Sequence, residues 1–237
     1  MDEQAARWPV LNRDQIKYIA MFTMLLNHIA NIFLAPGLLY EVMVDIGYFT
    51  APVMCWFLVE GYGYTRSKKK YALRLAGFAL LSQLPFSLAF SQGTGIQFQG
   101  LNMLFTLLIC FGLLEVRERL APGLRRKTAL TGLVLLSCIC DWALLAPCYT
   151  LLFAWARGSR RRTIQAFGWA AVLFAVMGLL SQTGPWGALG VVLAGFVILC
   201  LYNGRRAEKG RRFAQWFFYL FYPVHLLVLG LIRLALL

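Results

Sequence analysis

Long apolar runs separated by short polar connections fill the chain from residue 16 onward. Nine runs can be drawn, over 16–34, 42–62, 72–91, 101–116, 128–140, 142–156, 164–181, 187–202 and 213–237. Most approach the ~20 residues a helix needs to cross about 30 Å of hydrocarbon. The pattern predicts an all-α polytopic membrane protein of about nine transmembrane segments, built as a single integral membrane domain over 1–237 with no soluble domain. The shortest runs lie in 128–156, where segments of 13 and 15 residues flank DWALLAP. Both fall below the ~17–25 residues of a spanning helix, so this stretch reads either as two tilted spans or as a re-entrant hairpin.

The connections alternate in charge. Basic residues occupy 7–17, 66–70, 117–127, 157–162 and 205–212. The intervening connections are acidic (Glu41 and Asp45; Asp141) or neutral (QGTGIQFQG; SQTGPWG). By the positive-inside rule the basic set is cytoplasmic, which puts the N-terminus inside and the C-terminus outside. The first run is longer than the ~7–15-residue core of a signal peptide and reads as an uncleaved helix.

Composition supports the same class: 60% of residues are hydrophobic and 14% charged, against about 25% charged in a soluble domain, and mean hydropathy is +0.66. The net charge of +13 would suggest nucleic acid in a soluble chain. Here the basic residues are confined to connections, so no nucleic-acid partner is expected, and membrane lipids are the surroundings. Six scattered cysteines lack metal-type spacing, and no metal is expected. Cys140 and Cys148 flank a predicted outer turn and admit a disulfide, although ordinary buried thiols are the simpler reading. No transporter-like repeat, Walker loop, HExxH or GxSxG is present.

Chemistry therefore has to come from polar residues inside the apolar runs. The two histidines, His28 and His225, are the first candidates, because an imidazole in lipid is costly and faces a protein interior or wet cavity. Each lies twelve residues into a run entered from the cytoplasm, at a depth of about 18 Å, so the two rings can meet. Lys17 precedes His28 by eleven residues, which returns to within about 20° of the same helix face. Glu60, Arg66 and Arg74 gather near the cytoplasmic ends of the second and third runs, with Lys68, Lys69 and Lys70 between them. That cluster suits an anionic ligand entering from inside, although RSKKK would also orient helices without binding anything. Arg74 sits within YALRLAGFALLSQLPF and needs a partner, such as Glu60 or a ligand phosphate. Asn27, Asn102, Asp141 and Tyr222 complete the polar set. Pro223 removes a backbone donor and frees the Tyr219 carbonyl, which predicts an opened or kinked helix just before His225.

The strings LNRDQIKYIAMFTMLLNHIANIF, EGYGYTRSKKKYALRLAGFALLSQLPF, LNMLFTLL and FYLFYPVHLLVL, in this order, resemble the successive motifs of the TraX family. The family is named for the membrane protein that acetylates the N-terminus of F-type conjugative pilin. The basic residue, ten intervening positions and histidine of Lys17 and His28 also resemble the wider acyltransferase family 3 group. The resemblance implies a multi-pass acyltransferase that passes an acyl group from cytoplasmic acetyl-CoA or another acyl-CoA to an amine or hydroxyl acceptor. It makes the first-helix histidine, His28, the essential catalytic group; a mechanism built on that footing has His28 as general base and His225, Asn102 or Tyr222 as oxyanion donors. Lys17, Arg66, Lys70 and Arg74, with Glu60, would form the coenzyme A mouth. The acceptor stays open among a peptide amine such as a pilin N-terminus, a sugar, an amine metabolite and a lipid. Two departures stand out: Asn27 replaces the Asp that commonly precedes the histidine, and DWALLAPCYTLLFA lacks the family's glycine-rich form, which leaves Asp141 without a role. The competing reading is a proton-coupled transporter or flippase for an anionic solute or lipid.

Overall fold

The computed structural model describes residues 10–208 and 210–237. Arg7 and Lys209, counted above in the basic connections, lie outside the described residues. The described residues form ten helices in order: α1 Arg13–Phe33, α2 Leu38–Gly47, α3 Thr50–Tyr64, α4 Lys68–Phe90, α5 Met103–Arg119, α6 Leu124–Leu136, α7 Leu145–Ala156, α8 Arg160–Leu180, α9 Ala188–Phe196 and α10 Arg211–Ala235. A 3₁₀ turn, Ser137–Ile139, ends α6, and a π-helical turn, Val197–Leu201, extends α9. The described residues contain no strand, only two isolated parallel bridges, Leu11 with Tyr202 and Leu101 with Cys140.

Each apolar run of the sequence is helical, with one interruption: the second run divides into α2 and α3 at Tyr48–Phe49, both in right-handed helical conformation. Among the described residues five helices are long and apolar enough to cross a membrane: α1, the α2–α3 rod over Leu38–Tyr64, α4, α8, and α10 over Phe213–Ala235. The others are shorter, with 17 residues in α5, 13 in α6, 12 in α7 and nine in α9. At 1.5 Å per residue, α6 and α7 reach only about 20 and 18 Å.

Local chemistry fixes the ends that matter. Asn12 caps α1 by accepting from the Asp14 and Gln15 amides, while Gln15 Oε1 accepts from the Asn12 amide, a reciprocal capping box. Just before it, Leu11 is stitched to the connection ahead of α10: its amide donates to Leu201 and its carbonyl accepts from Asn203. α1, α4 and α10 pack together, and α3, α5 and α7 form the core around Phe49, Phe57, Tyr149 and Phe153. Glycine permits the closest approach of α9: a Cβ at Gly190 would lie 2.5 Å from the Asp45 carbonyl oxygen and 2.9 Å from the Phe49 nitrogen. α6 buries none of its side chains. Its exposed Leu124, Leu135 and Leu136 match a surface turned toward lipid.

Candidate functional site

Helices α1 and α10 bring His28 and His225 into contact, with His28 Nδ1 2.8 Å from His225 Nε2. The rings are nearly coplanar, at 9° with centroids 5.0 Å apart, so the bond lies in the ring planes and is not a face-to-face stack. His225 Nδ1 stands 2.7 Å from the Phe221 carbonyl oxygen. A carbonyl only accepts, so this nitrogen carries a proton, and in the neutral ring Nε2 is then the acceptor. The network thus assigns the proton between the rings to His28 Nδ1 and leaves His28 Nε2 with its lone pair. Pro223 does not break α10, which continues through it to Ala235. Packing against α4, where Phe78 and Tyr219 stack at 4.8 Å, holds the helix together.

His28 faces an outer chamber of about 350 Å³, lined also by Asn27, Met54, Asp141, Trp142 and Tyr222. The Tyr222 hydroxyl accepts from the Met103 amide at 3.4 Å and keeps its own proton to give. Asp141, in the turn between α6 and α7, is fixed through its backbone. Its amide donates to Leu101 at 2.7 Å and its carbonyl accepts from the Thr106 hydroxyl at 2.5 Å. The next residues, Trp142 and Leu144, have φ of 56° and 59°, a left-handed conformation costly for bulky side chains. Burial raises the Asp141 carboxyl to about 6, against the opposing hydrogen bond from the Trp142 amide. Asn27 gives its amide to the Val44 carbonyl at 3.0 Å. It ties α1 to α2 and makes no hydrogen bond to His28.

A second, inner chamber of about 480 Å³ is lined by Arg13, Lys17, Arg66, Tyr71, Arg74 and Arg206. The two chambers share Met54, Leu104, Leu107 and Phe218 as walls. Lys17 lies 4.9 Å over the Phe218 ring, at the boundary. Among the described residues buried Arg74 Nε has no hydrogen-bond partner, and its guanidinium stands 5.7 Å over Tyr71.

Several of the expected site residues have other partners in the structure. Glu60 neutralises Arg13 at 3.5 Å rather than Arg74, accepts from the Tyr202 hydroxyl at 2.8 Å, and does not line the inner chamber. Lys70 is exposed on the first turn of α4 and lines neither chamber. Asn102 is a helix cap: Oδ1 accepts from Leu104, and Nδ2 donates to Ala79 at 2.8 Å and Gln83 at 2.9 Å. Both amide protons are spent, so it has none for an oxyanion. His225 has both nitrogens engaged, with His28 and with the Phe221 carbonyl, and is not among the residues lining the outer chamber. The sequence reading missed Arg13 and Arg206. Arg13 precedes Lys17 by one helical turn, a spacing that places both on one face; Arg206 lies in a connection with no periodic signal.

All six cysteines are free thiols, Cys140 and Cys148 included. Among the described residues, no group of three or more His, Cys, Asp or Glu is placed to hold a metal.

The sequence pattern of a protein family described as "TraX protein" matches residues 12–233. A curated relative from Dichelobacter nodosus, described as probable fimbrial assembly protein FimC of serogroup H1, is 34% identical over 232 residues, spanning 91% of this chain and 93% of the relative. No solved structure matches.

Proposed function

We propose that this chain, which belongs to the TraX family, is an integral membrane acyltransferase that moves an acetyl group from cytoplasmic acetyl-CoA to an amine acceptor. In this reading it spans a bacterial inner membrane with its N-terminus inside. The observation that carries the reading is a junction: the free lone pair of His28 opens on a chamber that shares four walls with a chamber rich in arginine.

The inner chamber suits a phosphorylated donor. Arg66, Arg74 and Arg206, with Lys17 deeper in, offer charge-assisted contacts to the phosphates of coenzyme A. The thin pantetheine arm then passes Met54 and Phe218 toward His28. The acceptor enters the outer chamber, where the Asp141 carboxylate attracts an ammonium. This favours an amine over a hydroxyl, and the fimbrial relative makes the N-terminal amine of a pilin subunit the first acceptor to try.

The bound ammonium first releases one proton to solvent, and His28 Nε2 then takes a second from the neutral amine as the amine nitrogen forms a bond to the thioester carbonyl carbon. Tyr222 donates to the oxygen that gains charge. The carbon–sulfur bond then breaks, and His28 returns the proton to the leaving thiolate. A proton-coupled transporter would need a relay that continues past the histidines. This one ends at the Phe221 carbonyl, which can only accept.

The test is calorimetry of acetyl-CoA with the detergent-purified protein, followed by transfer of labelled acetyl to a pilin-like peptide with a free N-terminus. Binding with transfer is the expected outcome. An absence of acyl-CoA binding would overturn the reading in favour of transport.

A further inference from the structure

The last turn of α3 seats two arginines on opposite faces. Gly61 and Gly63 are two positions apart, about 200° around the helix. A Cβ at Gly61 would lie 2.9 Å from Arg13 Nη2, and one at Gly63 would collide with the guanidinium of Arg157. Arg13 belongs to the inner chamber. Arg157 belongs to a separate pocket of about 480 Å³, between the C-terminal ends of α3, α5 and α7 and the start of α4, lined also by Tyr62, Lys68, Arg117 and Glu118. The two cavities have Thr65 in common.

The acidic groups beside this pocket are already committed. Glu118 is bound by Lys68 and by the Tyr62 hydroxyl at 2.5 Å. Glu115 takes Arg119 at 2.6 Å and Tyr62 at 2.8 Å. Among the described residues, Arg117 and Arg157 make neither an ion pair nor a hydrogen bond through their side chains. Arg126 adds a further positive neighbour to Arg117. Helix C-termini favour cations and cytoplasmic ends collect them, which explains arginine here in general. Neither effect explains why Arg157 folds onto Gly63 to share a pocket with Arg117, since like charges repel. An anion between them reverses the sign of that interaction and matches the forked donors of both guanidiniums.

We propose that this pocket is a binding site for a phosphate-bearing anion, gripped by Arg117 and Arg157. Its source is either an anionic phospholipid headgroup at the membrane boundary or a soluble phosphate.

Native mass spectrometry of the full chain in detergent, titrated with dioleoylphosphatidylglycerol or dioleoylphosphatidylcholine, tests the lipid source. Calorimetry with inorganic phosphate tests the soluble one. Arg157→Gln should weaken the bound probe about tenfold, as expected for loss of one charge-assisted contact. Gly63→Ala should do likewise, because it displaces the guanidinium while keeping every charge, and the atoms it meets are the end of a flexible side chain. Arg160→Gln, outside the pocket on the first turn of α8, should change nothing. Preference for phosphatidylglycerol, or saturable binding of phosphate, supports the site and names its source, provided Arg157→Gln weakens that binding about tenfold. Equal binding by the wild type, Arg157→Gln and Arg160→Gln, or no binding of either probe, overturns it.

Discussion

The two chambers that meet at Met54, Leu104, Leu107 and Phe218 are built on opposite principles. In the inner one charge is plentiful and loosely held: Arg66 is exposed, Arg74 Nε has no partner, and Lys17 rests over an aromatic ring. In the outer one charge is scarce and geometry is fixed. His28 is bonded to His225, His225 to Phe221, Tyr222 to Met103, and the Asp141 backbone to Leu101 and Thr106. A site that must capture a mobile polyanion profits from uncommitted cations. A site that must move one proton profits from a ring whose other contacts are all taken. On the proposed reading the division separates affinity from chemistry, and single substitutions should separate them too.

The largest effect belongs to His28→Ala, which should lower acetyl transfer about 10²–10⁴-fold while acetyl-CoA binding, measured by calorimetry, stays near wild type. Normal initial rates from a well-folded variant would dissolve the distinction between the chambers. His225→Ala leaves His28 in place but frees its tautomer and orientation. It should lower kcat about 10–100-fold, the range seen when a partner that orients a histidine is lost, with the KM for acetyl-CoA little changed. A rise in KM without a fall in kcat would show that His225 serves binding instead.

Arg74→Gln tests the other side. It should weaken acetyl-CoA about tenfold and leave kcat at saturation near wild type. The smallest effect is expected at Asp141, where Asp141→Asn should raise the KM for an amine acceptor a few-fold. In the wild type that KM should also rise as pH falls through about 6, because the carboxyl takes up a proton and loses its attraction for the ammonium. The variant should lack this step, and an unchanged pH profile would remove Asp141 from acceptor binding.

Much of this arrangement was legible in the sequence, and what was not has physical reasons. Apolar runs report helices directly, and equal depth from the same membrane face brought His28 to His225 across 197 residues. Depth arithmetic works because a helix has a constant rise. It says nothing about which polar groups are already engaged. Asn102 looked like a free donor, yet an Asn directly before an apolar run is also the signature of a helix cap, and that use consumed it. Glu60 was matched to Arg74 by proximity along the chain, whereas Arg13, 47 positions away, took it. The break between α2 and α3 follows Gly47, where Asn27 packs so closely that a side chain would clash, and precedes Pro52 in the first turn of α3. Asp141 was placed in the outer chamber by its bridge to the start of α5, a pairing with no local period to reveal it.

The joining of α1 to α10 also sets a schedule for synthesis. His28 and His225 are separated by 197 residues, which a ribosome adding about 5–20 residues per second needs roughly 10–40 s to cover. For that interval the nascent α1 carries Arg13, Asp14, Lys17, Thr23 and His28 without the helix that helps enclose them, as a marginally apolar segment that the insertion machinery or neighbouring helices must shelter. A message cut short before α10 yields a chain without His225 and without the Gln215, Phe218 and Tyr219 wall of the inner chamber, so both chambers would be lost together.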